Sequence, residues 1–144
     1  MRQLDARFAG LRRLVSGPGL ERLRSAHVGV VGIGGVGSWA VEALARSGIG
    51  ALTLVDLDEV CVGNVNRQLH ALDLTIGQAK VEVMAERVHG INPHCRVTPV
   101  AAFFTPATAD DLLQLPEIGI EIPVAELYEG VDSPTSDAGG VPAE

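Results

Sequence analysis

Gly32, Gly34 and Gly37 stand at G-x-G-x-x-G spacing, with Gly35 between them, directly after the apolar run Val28-Gly29-Val30-Val31. Small residues at that spacing let a backbone turn sharply from a strand into a helix and press its amides against a phosphate at the positive helix end. The pattern serves dinucleotides and ATP alike. Asp56 lies 19 residues past Gly37, at the end of a second apolar run. A carboxylate there can accept hydrogen bonds from both hydroxyls of a nucleotide ribose. The plainer alternative is an acidic loop residue, a role for which Asp58 and Glu59 are better candidates. Asp58 reads equally as surface charge and as partner of a site residue. Arg67 and Lys80 follow. A guanidinium can grip phosphate oxygens in pairs, and a lysine at a helix start adds a mobile point charge. Two cations between the second and third strands suit a triphosphate, whereas a nicotinamide dinucleotide has no need of them. A solvated arginine and an ordinary helix lysine are the alternatives.

These residues need a frame. His27 to Gly32 reads as a first strand, apolar on both faces. Val36, Trp39, Ala40, Ala43 and Leu44 then recur at helical spacing until Gly48 and Gly50 end the helix. Ala51 to Asp56 is a second strand, which completes a βαβ unit with parallel pairing. Asp58 to His70 is too polar for a strand and reads as a loop with a short helix. Gln78 to Gly90 is an amphipathic helix with Val81, Met84, Ala85 and Val88 on one face, stopped by Ile91-Asn92-Pro93. Cys95 to Ala101 is a third strand, and Thr105-Pro106 opens another helix. The expected fold is α/β, a Rossmann-like parallel sheet truncated after about three strands, with an acidic, mostly disordered C-terminal tail. Residues 1–26 form a helical lead-in broken at Ser16-Gly17-Pro18-Gly19, residues 27–115 an ATP-binding half-domain, and residues 116–144 the tail. Ile118, Ile120, Ile122 and Val124 alternate as in a strand, which Pro123 would confine to an edge.

The 144 residues suit one modest domain. Hydrophobic residues make up 47% and aromatics only 3%, so Val, Leu, Ile and Ala must build the core, as in buried parallel sheets. The net charge of −7 is uneven: residues 1–50 carry seven Arg against three acids, and residues 117–144 carry seven acids and no Lys or Arg. A basic front end can steer a polyanion, which the tail would repel. Cys61 and Cys95 show neither metal-ligand spacing nor a disulfide framework, and the N-terminus lacks a signal-peptide pattern. A cytoplasmic chain with reduced thiols is expected, and without a long apolar run no membrane span.

Gly-x-Gly-Gly-x-Gly at 32–37, Asp56-x-Asp58, Asn64-x-Asn66-Arg67-Gln68 and Gly77-Gln78-x-Lys80 resemble, in order and spacing, the ubiquitin-activating-enzyme-like (ThiF/MoeB/HesA) superfamily of adenylating enzymes. The resemblance implies that Gly32, Gly34, Gly35, Gly37, Asp56, Asp58 and Asn64 bind the nucleotide. It makes Arg67 and Lys80 both binding and catalytic, on the phosphates of ATP, while a substrate carboxylate attacks the α-phosphate. Within the superfamily the chain is most similar to the tRNA threonylcarbamoyladenosine dehydratases. That likeness covers residues 7–113 and rests on Arg7-Phe8-x-Gly10, on Ser38-Trp39-Ala40 with Glu42-Ala43-Leu44-Ala45-Arg46, on Leu69-His70-Ala71, and on Val83-Met84-Ala85-Glu86-Arg87. It implies ATP and Mg2+ as cofactors, tRNA carrying threonylcarbamoyladenosine as partner, and a homodimer. Sulfur-carrier-activating relatives share the Asn-Arg-Gln and Lys positions. Adenylation of a carrier protein's C-terminus, with a sulfur-carrier or sulfur-transfer protein as partner, is therefore the alternative, alongside an inactive nucleotide-binding fragment.

The superfamily's metal-binding aspartate finds only a faint echo in Asp132 of Gly130-Val131-Asp132-Ser133. Without a fourth strand, the first strand is expected to be an exposed edge. Cys61 is expected to pack quietly, His70 to be a capping or core histidine, and Trp39 to belong to the core. Arg7 and Arg13 are the candidates to reach a neighbouring subunit's phosphates.

Overall fold

A computed structural model of the protein describes residues 6–104. Helix α1, Ala9–Ser25, precedes strand β1, His27–Val31; helix α2, Gly37–Arg46, leads to strand β2, Ala51–Val55. Two short 3-10 turns, Val62–Asn64 and Asp73–Thr75, come before helix α3, Lys80–Ile91, and strand β3, Arg96–Val100. The three strands form one parallel sheet in the order β1-β2-β3, with His27 opposite Ala51 and Ala51 opposite Arg96. The Rossmann-like α/β sheet expected from the sequence is therefore present. The helix start at Thr105, the alternating stretch 118–124, Asp132 and the acidic tail lie outside the described residues.

Parallel strands need crossovers, and here each crossover carries a helix onto the sheet. Helices α2 and α3 pack against each other, α2 against β1, and α3 against β2 and β3. The shared core is Ile33, Val41, Ala45, Ile49, Leu52, Leu54, Val81, Met84, Ala85, Val88 and Cys95. All five residues of the central strand β2 are buried. Among the described residues β1 forms one edge of the sheet, where Val31 is 52% exposed. Pro99 lies in the opposite edge strand, the position at which a missing ladder donor is tolerated.

Two elements differ from their expected form. The buried face of α2 is Ser38, Val41, Glu42 and Ala45, about 180° around the helix from the face inferred from Val36, Trp39, Ala40, Ala43 and Leu44. Glu42 is the reason: it is buried because Arg46 and Arg87 both bond it, at 2.7 and 2.6 Å, so a charged residue occupies the inner side and joins α2 to α3. Helix α3 begins at Lys80 because residues 77–79 are bonded to the 59–60 segment instead of continuing the helix backwards. Gly77 N–H donates to Val60 O and Val60 N–H to Gln78 O, while Ala79 bridges to Glu59.

In α1 the break falls at Ser16, whose φ of 69° and ψ of 173° interrupt two helical stretches. Pro18, with no amide hydrogen to offer, then sits in the first turn of the second stretch.

Candidate functional site

The glycine corner joins the end of β1 to the start of α2. Gly32 adopts a left-handed φ of 83°, and its N–H donates to Val55 O at 2.8 Å, which pins the corner to the end of β2. Gly37 admits no side chain, since a Cβ there would lie 1.8 Å from Gly32 O. The turn is thus tight, and it sets the N-terminus of α2, the positive end of the helix, beside the ends of β1 and β2.

Asp56 follows β2 and is tied to the same corner. Its Oδ2 accepts from Ile33 N–H at 2.6 Å and its Oδ1 from Asp58 N–H at 2.8 Å. Each oxygen keeps a further lone pair for a ribose hydroxyl. Asp58 in turn holds Lys80: its Oδ2 accepts from Lys80 Nζ at 2.7 Å. The lysine side chain is 6% exposed and the aspartate 63%, so the pair reaches from beneath the surface to solvent. Lys80 N–H also donates to Asp58 O. The corner, Asp56, Asp58 and Lys80 form one continuous bonded chain.

Arg67 comes to the corner from the other side. Its stem lies over Gly35, where a Cβ would be 3.5 Å from Arg67 Cγ. Its guanidinium donates to Gly63 O at 2.9 Å and to Asn66 Oδ1 at 2.8 Å. Asn64 braces its own turn: its Oδ1 accepts from Cys61 N–H at 3.0 Å and shapes the 62–64 turn. The structure therefore gathers Gly32, Gly34, Gly35, Gly37, Asp56, Asp58, Arg67 and Lys80 at one end of the sheet, with Asn64 as a brace for the Arg67 segment.

His70 is buried, 1% exposed, as a core histidine should be, yet neither ring nitrogen has a hydrogen-bond partner among the described residues. Burial and then the Lys80 charge push its pKa down, against an upward pull from Asp56, so the ring is neutral beside the site. Three other side chains differ from expectation. Trp39 is 55% exposed, because the α2 face is rotated, and its indole N–H donates to Arg67 O at 3.1 Å. Ser38, which the motif reading passed over, is fully buried, and its Oγ accepts from Leu69 N–H at 3.2 Å. Cys61 is exposed and free, while Cys95 is free and buried.

A cavity of about 190 Å³ opens at the strand ends beside Gly32, Asp56 and Asp58, and is also lined by Phe103 and Phe104. A larger one, about 360 Å³, lies at the opposite end of the strands against Phe8, Gly50, Asn92 and His94, and neither the glycine corner nor Asp56, Asp58, Asn64, Arg67 or Lys80 lines it. Arg7 points to that opposite end too, donating to Ile91 O. Among the described residues no three His, Cys, Asp or Glu side chains gather as metal ligands. Asp56 and Asp58 are already engaged by Ile33 N–H, Asp58 N–H and Lys80, so these carboxylates do not by themselves fit a divalent-cation site. No helix among the described residues is long and apolar enough to cross a membrane.

The chain is similar to known proteins over much of its length. The chain is 58% identical over 113 residues to the tRNA threonylcarbamoyladenosine dehydratase of Escherichia coli, a match that takes in 78% of this chain and 41% of that one. It is 49% identical over 84 residues to a molybdopterin-synthase adenylyltransferase of Salmonella typhimurium, with 58% of this chain and 34% of the relative matched. The crystal structure of the E. coli dehydratase in complex with ATP superposes with a TM-score of 0.76 at 56% identity, covering 77% of this chain and 46% of the crystallised one. The chain thus spans less than half the length of these relatives. The model of the ThiF family matches residues 7–124, which take in the glycine corner, Asp56, Arg67 and Lys80, and the chain belongs to that family.

Proposed function

We propose that this chain binds ATP at the glycine corner and adenylates a carboxylate, with threonylcarbamoyladenosine in tRNA as the substrate. The observation that carries the reading is the placing of Arg67 and Lys80 on either side of one glycine corner that is also bonded to Asp56. Asp56 offers its remaining lone pairs to the ribose, the amides heading α2 meet the phosphates, and the two cations neutralise charge as it builds. The carboxylate oxygen attacks the α-phosphorus and pyrophosphate leaves. A nucleophile within the threonylcarbamoyl group then attacks the acyl carbon and expels AMP, which carries away one carboxylate oxygen. A divalent cation such as Mg2+, if bound with ATP, would supply charge neutralisation on the phosphates, and among the described residues Asp56 and Asp58 are engaged elsewhere. The free thiols of Cys61 and Cys95 suit a reducing cytoplasm.

ATP-pyrophosphate exchange tests the reading. Exchange that depends on modified tRNA is the expected result. The similarity to a molybdopterin-synthase adenylyltransferase supports one rival, in which the substrate is the C-terminus of a sulfur-carrier protein. Exchange driven by such a protein and not by tRNA would establish that rival. ATP binding without exchange on either substrate would mark a nucleotide-binding chain that is not active.

A further inference from the structure

The first turn of α2 presents two neighbouring side chains to one short stretch of backbone. Ser38 Oγ accepts from Leu69 N–H at 3.2 Å, and Trp39 Nε1 donates to Arg67 O at 3.1 Å. Together they fasten the backbone at 67 and at 69 to the helix whose N-terminus forms the glycine corner. The packing of α2 asks for neither group. At Ser38, 0% exposed, an alanine would fill the space, and Trp39 leaves more than half of the only tryptophan ring in water. Both polar atoms face the segment that carries Arg67, and they add ties to α2 beyond that segment's own turn bonds to Asn64 O and its contacts at His70 and Ala71.

We propose that Ser38 and Trp39 are positioning residues that hold the Arg67 segment, and with it the side chain whose stem lies over Gly35, at the glycine corner. The role rests on the reading of that corner as an ATP site. A cation that must meet charge growing on a phosphate acts best when its place is fixed beforehand, to within about 0.5 Å. Here the amides that meet the phosphates and the anchors of the cation belong to one turn of one helix. Any tilt of α2 carries both together, so their separation is kept. The indole contributes through its N–H and the serine through its oxygen, and neither touches the nucleotide in this role.

The test uses the full chain with Ser38→Ala and Trp39→Phe, each also made in an Arg67→Ala background. Amide hydrogen exchange without nucleotide reads the clamp: Ser38→Ala should speed exchange at Leu69 by up to about tenfold, as loss of one hydrogen bond allows. ATP titration reads the consequence. Each single variant should weaken ATP binding about 3- to 10-fold, and the same change in the Arg67→Ala background should add less than about twofold, because the residue acted upon is gone. Full, independent losses in both backgrounds would overturn the proposal, as would unchanged exchange at Leu69. Faster exchange in a wild-type-like fold that binds no ATP would leave the clamp standing and overturn the ATP reading, and the positioning role with it.

Discussion

Lys80 opens α3, the helix end at which the dipole disfavours a cation, and it is buried with Asp58 as its ion-pair partner. A lysine in so unfavourable a place points to an anion beyond Asp58. Lys80→Ala should weaken ATP binding about 10- to 100-fold, the loss of one charge-assisted contact, which calorimetric titration would measure. His70 makes a separate prediction. Its pKa is lowered from the ordinary 6.5 by burial and by Lys80, so the folded chain binds the proton more weakly than the unfolded one. The resulting stability is full above pH 6.5 and is lost as the pH falls through the folded value. The melting temperature should therefore drop on acidification from pH 8 to pH 5, and His70→Phe should flatten the drop. At Gly37 the question is space. A Cβ would meet Gly32 O at 1.8 Å, and Gly37→Ala should cost about 3 kcal/mol or more in a denaturant melt. That the glycines, Asp56, Arg67 and Lys80 would come together at one end of the sheet was legible in the sequence, because their spacing places them after strand ends and at helix starts. The task of Asn64 was not, since one side chain can brace its own turn as well as reach a ligand.

Strands β1, β2 and β3 and helix α3 read correctly from apolar runs and period, and Val81, Met84, Ala85 and Val88 of α3 are all buried. Helix α2 was legible in place and not in phase. Its small alanines give hydrophobic spacing on more than one side, and the deciding contact, Glu42 with Arg87, joins residues 45 positions apart. Burial raises the Glu42 pKa, but hydrogen bonds from Arg87 and Arg46 outweigh it and hold the carboxyl below its ordinary range. A charged residue so neutralised behaves as part of the inner face. The kink in α1 was legible as Ser16-Gly17-Pro18-Gly19, though the strain falls on the one residue of the four that is neither glycine nor proline. Ser16 holds a backbone conformation suited to glycine. Ser16→Gly should raise stability by about 1 kcal/mol, the relief of strain exceeding the entropy cost, which thermal unfolding would register.

Across the whole described molecule, apolar side chains collect outside the core at Val36, Val62 and Leu74, exposed by 86%, 69% and 89%, and β1 leaves a sheet edge with Val31 in water. Such surfaces favour association. Sedimentation at micromolar concentration should give twice the chain mass, and a monomer across that range would count against the homodimer. The topology itself has a temporal side. No strand pairs with a neighbour through a hairpin: β1 at residue 27 waits for residue 51, and β2 at residue 51 waits for residue 96. Ladders closed over such separations form slowly, roughly in milliseconds or longer. At about 5 to 20 residues per second of synthesis, β1 leaves the ribosome roughly one to five seconds before its partner exists. Of the described strands, the one that bears the glycine corner is thus made before its neighbours and stands longest alone, and its capture by other chains is a hazard of the nascent protein before it is one of the finished fold.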